Sequence, residues 1–393
     1  MPTSNEPIFL TALAINGPAQ RADLARLIGV SRTSASNLAR TLHDCDLIED
    51  LPTPGVSASR YPLTTSATAG LLAAMIVSND EVGVAISHLD GSRQATATAK
   101  LNPADSPRTW IATGIHQLQD LIADSYPSKP TPDIRQCLVT VPTQADAASG
   151  EVYPSPASRR WTGINAVDSV STALGCPVRI NNTARMEGLC EHDAAAAKPS
   201  SVTCYARFSD GVAMSHIVHG EIAAGAHGGS GELGHTVVNV SGPQCSCGNC
   251  GCLMQYTSIP ALQDEIRRIW PSGSPAPDLL DLIATSPRTW PGEVTGLVRE
   301  AGRIAGSALA NVANLLDPDL LVIGGELGVA NSPFFDELVL TVRQRTLPLI
   351  STQLTISRGH VSRDLKRVAL AAIASLRADT ELMATICADL TNR

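Results

Sequence analysis

Five side chains between residues 235 and 252 are of the types that hold a transition metal: His235, Cys245, Cys247, Cys250 and Cys252. Thiolate and imidazole suit Zn²⁺, which takes four tetrahedral donors in a closed structural site. One histidine and three of the four cysteines are enough. Gly248 and Gly251 let the backbone wind tightly around a small ion. The alternatives are a reduced loop with spare thiols, or a disulfide. Cys/His clustering in a chain without secretory features favours the metal.

The wider pattern is Gly231-Glu232-x-Gly234-His235, then Cys245-x-Cys247-Gly248-x-x-Gly251-Cys252 after a short loop. It resembles the signature of the ROK family of sugar kinases and sugar-responsive repressors, and weaker matches run from about residue 70 to the C-terminus. The resemblance implies zinc on His235, Cys245, Cys247 and Cys252, with Cys250 at a variable position outside the ligand set. It implies that Glu232 accepts hydrogen bonds from sugar hydroxyls. It also gives His235 a double role, with one ring nitrogen on zinc and the other near the sugar. A metal bond fixes the ring, and the loop around it positions Glu232.

The chain departs from the family's kinases where the chemistry lies. The strand PVRI runs into a helix after Asn182, at the edge where those kinases carry an Asn-Asp pair whose aspartate is the base. Here the pair is Asn181-Asn182. An amide hydrogen-bonds a hydroxyl but is no base at neutral pH, so Asn182 keeps the ligand contact without the chemistry; it also suits a helix N-cap. The stretch IVSNDEVGVAI stands in place of a Gly-Gly-containing phosphate loop, so a cradle of backbone N–H groups is not expected. The second phosphate turn reads Phe208-Ser209-Asp210-Gly211, and a carboxylate repels phosphate oxygens. Met254 replaces a glutamate, Thr143 follows Pro142 where glycine is usual, and Ala157 lies near a usual asparagine. Gly324-Gly325, closing the buried strand DLLVIGGEL, resembles the turn near the adenosine site. These changes point to an effector other than an unmodified hexose, such as an amino or phosphorylated sugar.

Several elements must carry these residues. Apolar residues at helical spacing in 7–16 stop at Gly17-Pro18, and a second short helix, 21–29, ends at Gly29. Ser31 is the expected N-cap of a third helix in which Leu38 and Leu42 face inward. Arg32, Thr33, Ser34, Ser36, Asn37 and Arg40 are left outside, and Arg32 through His43 contains no acid. Two short helices joined by a tight turn form a helix-turn-helix. Short polar side chains and Arg32 and Arg40 suit base-edge and phosphate contacts in a major groove. LIEDLP and SRYPLTT read as wing strands around TPGVSA, with Arg60 on the wing. Ser31 belongs to the same DNA-facing set. The competing reading is a helical hairpin with a solvated face, since residues 1–64 carry five arginines against six carboxylates. A winged helix-turn-helix here also resembles the N-terminal domain of ROK repressors.

After a connector, strands joined by turns at Asn79-Asp80 and Asp90-Gly91 lead to a helix over 107–125 and a buried strand over 135–143. A strand pair over 201–225 precedes the Cys-rich loop, and helix 295–318 stops at Asp317-Pro318. The 393 residues suggest two or three domains, with an aliphatic core because aromatics make up only 3%. A formal net charge of −8 gives no global attraction for nucleic acid, so DNA contact must be local. No signal peptide and no apolar run of roughly 20 residues is seen.

The expected organisation is a winged helix-turn-helix DNA-binding domain (1–64), a linker (65–72), and a two-lobed α/β domain. Its first lobe spans 73–185, and its second spans 186–393 with the zinc loop and C-terminal helices. The resemblance implies an actin-like ATPase, sugar-kinase-like architecture. The expected function is a cytoplasmic, sugar- or sugar-phosphate-responsive transcriptional regulator of carbohydrate genes, a repressor that has lost kinase activity. Its cofactor is Zn²⁺. Its partners are a double-stranded DNA operator, the sugar effector at Asn181, Asn182, Glu232 and His235, and further copies of itself as a homodimer or dimer of dimers, with no membrane. The alternatives are a working ROK sugar kinase with an appended DNA-binding domain, and a zinc–thiol redox switch using Cys250.

Overall fold

A computed structural model of the chain describes residues 5–128, 131–146, 149–152, 159–195, 201–361 and 363–392. The N-terminal unit holds α1 (Glu6–Asn16), α2 (Arg21–Leu27) and α3 (Arg32–Asp44), then an antiparallel pair of β1 (Ile48–Asp50) and β2 (Leu63–Thr65). Helix α3 starts where the sequence expects it, because Ser31 Oγ accepts from the Ser34 amide at 3.0 Å and satisfies one orphan donor of the first turn. Ala35, Ala39 and Leu42 are buried and Leu38 is half-buried.

The first lobe contains β3 (Leu71–Val77), β4 (Glu81–His88), β5 (Ala95–Lys100), α4 (Pro107–Ser125), β6 (Ile134–Val141), α5 (Ala166–Leu174), β7 (Val178–Asn182) and α6 (Thr183–Ala194). Its sheet has the order β5-β4-β3-β6-β7; the first three strands are antiparallel and β3, β6 and β7 are parallel. Strand β3, LLAAMIV, is buried throughout, as an uninterrupted apolar run requires when both sheet faces are covered.

The second lobe repeats the pattern. It contains β8 (Val202–Phe208), β9 (Val212–Val218), β10 (Glu221–Ile222), α7 (Met254–Thr257), α8 (Ile259–Ile269), α9 (Leu279–Ile283), α10 (Gly292–Leu316), β11 (Leu320–Gly324), α11 (Gly325–Val329), α12 (Pro333–Arg345), α13 (Pro348–Gln353) and β12 (Thr355–Arg358). The sheet order is β10-β9-β8-β11-β12, again with three antiparallel strands followed by two parallel ones. Helix α10 packs closely on α12 through Gly302 and Gly306, where a Cβ would meet the Phe334 and Leu338 carbonyls.

Three expectations about the domain bounds differ from the packing in the structure. The C-terminal helices α14 (Leu365–Ala378) and α15 (Thr380–Thr391) do not belong to the second lobe. Helix α14 packs on β3 and β4, and α15 packs on α1. The reason is apolar area: Leu365, Val368, Ala369, Ala372, Ile373 and Leu376 form one buried face, which covers the open side of the first sheet. A boundary at 185/186 also falls inside α6, which packs against β8 and β9 of the second sheet as well as α14. Nor is 65–72 a free linker, since Thr65, Ala69 and Leu71 are fully buried and Ser66 is 8% exposed.

Candidate functional site

The Cys-rich loop runs between the 3-10 turn Leu233–His235 and α7. His235 Nδ1 lies 3.6 Å from Cys245 Sγ, and Cys247 Sγ lies 3.6 Å from Cys252 Sγ. The donor atoms of His235, Cys245, Cys247 and Cys252 all fall within 4.8 Å of one another. Donors about 2.0–2.3 Å from a shared Zn²⁺ stand roughly 3.3–3.8 Å apart in a tetrahedron, so the set fits the ion after a small contraction. Gly251 has φ 70°, and a Cβ there would collide with the Asn239 carbonyl, so the loop closes only with glycine. Cys250 is exposed and lies outside the group.

Burial opposes ionisation of Cys245, but hydrogen bonds involving Cys247, Gln255 and His235 bring its thiol down to about 6. Burial and the neighbouring thiols push Cys252 up to about 12. A bound Zn²⁺ deprotonates a coordinating thiol outright, so both are thiolates in a loaded site.

A cleft of 490 Å³ separates the lobes beside this loop, and Asn182, Glu232 and His235 all line it. Asn182 comes from the end of β7 and caps α6: its Oδ1 accepts from the Ala184 amide at 2.9 Å and its Nδ2 donates to the Thr143 carbonyl at 3.1 Å. One lone pair and one N–H remain for a ligand. Glu232 precedes the 3-10 turn that carries His235. Arg185 steadies the approach to it by donating to the Ser230 carbonyl at 2.8 Å and to that of Gly228. Asn181 does not join the other three. It lines an adjoining pocket of 80 Å³, and its Oδ1 accepts from the Asn182 amide at 2.8 Å. Thr143 and Met254 line the main cleft as well; Ala157 lies outside the described residues.

The two turns at the far side of the cleft touch each other. Asn79, between β3 and β4, donates from Nδ2 to Asp210 Oδ2 between β8 and β9, at 3.0 Å. Behind them Arg207 pairs with Glu187 at 3.4 Å, and Tyr205 donates to the same carboxylate at 3.0 Å. Burial pushes the Glu187 carboxyl up, against the pull of Arg207 and Tyr205. A pocket of 170 Å³ here is lined by four carboxylates (Asp80, Glu81, Glu187, Glu326) against three cations (Lys100, Arg207, Arg363).

The cleft wall holds three further side chains outside the expected ligand set, two of them at the end of the stretch 149–161 that resembles the family's sugar-side loop. Trp110 and Trp161 meet edge to face with centroids 6.2 Å apart, and Arg160 lies 4.8 Å above the Trp110 ring. Both indoles and Arg160 line the cleft. The signal was available, since the chain has only four tryptophans and two converge here.

On the N-terminal unit, Ser31, Arg32, Thr33, Ser34, Ser36, Asn37 and Arg40 are all exposed along α3 and its cap, as is Arg60 after β1. Ser31 and Ser34 share a hydroxyl contact of 2.8 Å, and Arg40 donates to Asn37 Oδ1 at 3.2 Å. The Arg60 carbonyl accepts from Gln20 at 2.7 Å, which ties this segment to the start of α2.

Two lobes with the same strand pattern and a cleft between them define an actin-like, sugar-kinase fold. The ROK family profile matches residues 80–362, and the chain belongs to the ROK family. It is 24% identical over 371 residues to the xylose repressor of Bacillus spizizenii, covering 94% of each chain. Among solved structures it resembles a ROK family transcriptional regulator, a homologue of the Escherichia coli MLC protein, with TM-score 0.74, 21% identity and 98% of each chain covered. It also resembles the ROK hexokinase of Thermus thermophilus, with TM-score 0.61, 20% identity, and 77% of this chain and 97% of the other covered. The hexokinase likeness leaves out the share of the chain that the regulator likeness includes.

Proposed function

We propose that this chain is a DNA-binding transcriptional repressor of carbohydrate genes whose kinase-like domain senses a sugar or sugar phosphate. The observation that carries the reading is the exposed, acid-free face of α3 joined to a ROK cleft. In the B. spizizenii xylose repressor the similarity spans both parts. The N-terminal unit acts as a winged helix-turn-helix: α3 enters a major groove with Arg32, Thr33, Ser36, Asn37 and Arg40, and Arg60 reaches the backbone from the wing.

In the cleft, Asn182 and Glu232 bind ligand hydroxyls. Asn181 supports Asn182 from the adjoining pocket. His235 links the sugar side to the metal loop. Zn²⁺ on His235, Cys245, Cys247 and Cys252 holds that loop in shape. Kinase chemistry is lost, because Asn182 cannot take a proton. The Asn79–Asp210 contact, with its carboxylate in the second turn, also disfavours nucleotide phosphates. The protein works in the cytoplasm as a homodimer or dimer of dimers. Effector binding shifts the lobe arrangement and thereby the separation of two recognition helices.

The test is a gel shift of the zinc-loaded protein on DNA upstream of its own gene and neighbouring genes. It is repeated with D-xylose, amino sugars and sugar phosphates. A specific shift that one sugar weakens supports the reading. Absence of any specific shift, together with sugar-dependent ATP consumption, would replace it with the kinase reading.

A further inference from the structure

The segment joining the two functional parts is a built joint. Asp90, in the turn between β4 and β5, is 1% exposed. Its Oδ2 accepts from Thr64 Oγ1 at 2.6 Å and from the Thr65 amide at 2.9 Å. Its Oδ1 accepts from Ser92 Oγ at 2.6 Å and from the Ser92 amide at 2.9 Å. Four donors, two from β2 and two from Ser92 in the same turn, satisfy one buried carboxylate, as a buried polar group requires. Thr64 and Thr65 belong to β2, the last strand of the N-terminal unit.

Arg377, near the end of α14, completes the joint from the other side. It donates from Nε to the Ala14 carbonyl at 3.0 Å and from Nη2 to the Ile15 carbonyl at 3.2 Å. Those are orphan acceptors of the last turn of α1, where a cation also meets the negative end of the helix dipole. A Cβ on Gly91 would overlap the Arg377 guanidinium, so the Asp90 turn and the Arg377 head group lie against each other. Below them Arg135 donates to the Ala69 carbonyl at 2.8 Å, and one hydrophobic cluster runs without a break from Phe9 and Leu42 through Leu72 and Ala85 to Leu376 and Leu390.

We infer that Asp90 and Arg377 are positioning residues that clamp the N-terminal unit to the first lobe, so that the two move as one body and lobe movement is delivered directly to α3. This rests on the DNA-binding reading above and specifies how its regulation is transmitted. Coupling free energy needs an element whose state both sites bias, and the first lobe with its clamp is that element.

The test is hydrogen exchange of the full-length, zinc-loaded protein with and without DNA from upstream of its own gene, on wild type, Asp90→Asn, Arg377→Met and Arg377→Lys. In the wild type, DNA should slow exchange in 71–88 and 365–378 by about 5-fold, the lower end of ordinary coupling. In Asp90→Asn and Arg377→Met the slowing should stop at residue 65, although each variant still binds DNA. Arg377→Lys, which retains a donor and its charge, should restore part of the slowing in 365–378. Comparing each variant with itself, with and without DNA, separates coupling from general destabilisation. Wild-type slowing confined to the N-terminal unit, or variants that transmit it as the wild type does, would overturn the clamp. A wild type that binds no DNA would instead remove the reading on which the clamp rests.

Discussion

Asn79 and Asp210 hydrogen-bond to each other at 3.0 Å across the cleft, one from each lobe. By resemblance to the ROK kinases, the two turns that carry them correspond to phosphate loops, and here they are partners of each other. Restoring a base alone should therefore not restore a kinase. Asn182→Asp should show no sugar-dependent ATP consumption above wild type with xylose, glucose or amino sugars. Measurable turnover from this single change would show that the nucleotide side is still competent.

Metal content separates the ligand thiols from the bystander. Cys250→Ser should retain about one zinc per chain, whereas Cys252→Ser should lose it, because a structural site needs four donors. Elemental analysis of purified proteins gives the answer. Chelation of the wild type should lower its melting temperature and weaken effector binding more than DNA binding, since the metal loop borders the cleft and α3 does not.

The polar face of α3 should carry affinity and little stability. Asn37→Ala and Arg40→Ala should each cost about 1–3 kcal/mol of operator binding. Both side chains are exposed, so their melting temperatures should stay close to wild type. Arg60→Ala should weaken binding to all sequences alike, as a backbone contact does. Titration of a matched operator and a scrambled one distinguishes these outcomes.

His88 sits at the joint between the two parts. Its Nδ1 lies 2.7 Å from the Thr65 carbonyl and Nε2 is buried without a partner. Burial lowers its pKa, partly offset by that carbonyl and by Asp90. A histidine whose folded pKa lies below its unfolded value of about 6.5 contributes stability that is present above that pH and is lost as the pH falls through the folded value. His88→Gln should be less stable than wild type at pH 7.5 and should close part of that gap by pH 5. Thermal melts across this range test it. A gap that widens on acidification would contradict the sign.

The clustering of His235, Cys245, Cys247 and Cys252 was legible because the donors lie within 18 residues and their chemistry is restrictive. Helix α3 was legible because its cap and its inward residues are local. The contact between Trp110 and Trp161 was not, since they come from different elements and meet only when α4 packs beside residues 159–161. The placement of α14 and α15 was missed for a related reason. Their apolar faces show that they must be buried, but periodicity does not say against which sheet. Asn181 and Asn182 are adjacent in sequence, yet opposite directions of successive side chains on a strand send only Asn182 to the cleft.

The contact between Arg377 and the end of α1 joins positions 363 residues apart, and it bears on how the protein is made. At a synthesis rate of about 5–20 residues per second, α1 waits tens of seconds on the ribosome before α14 and α15 emerge to cover it. A partly translated chain leaves the face of α1 that α15 covers without its partner. The N-terminal unit therefore reaches its final packing only after nearly the whole chain has been made.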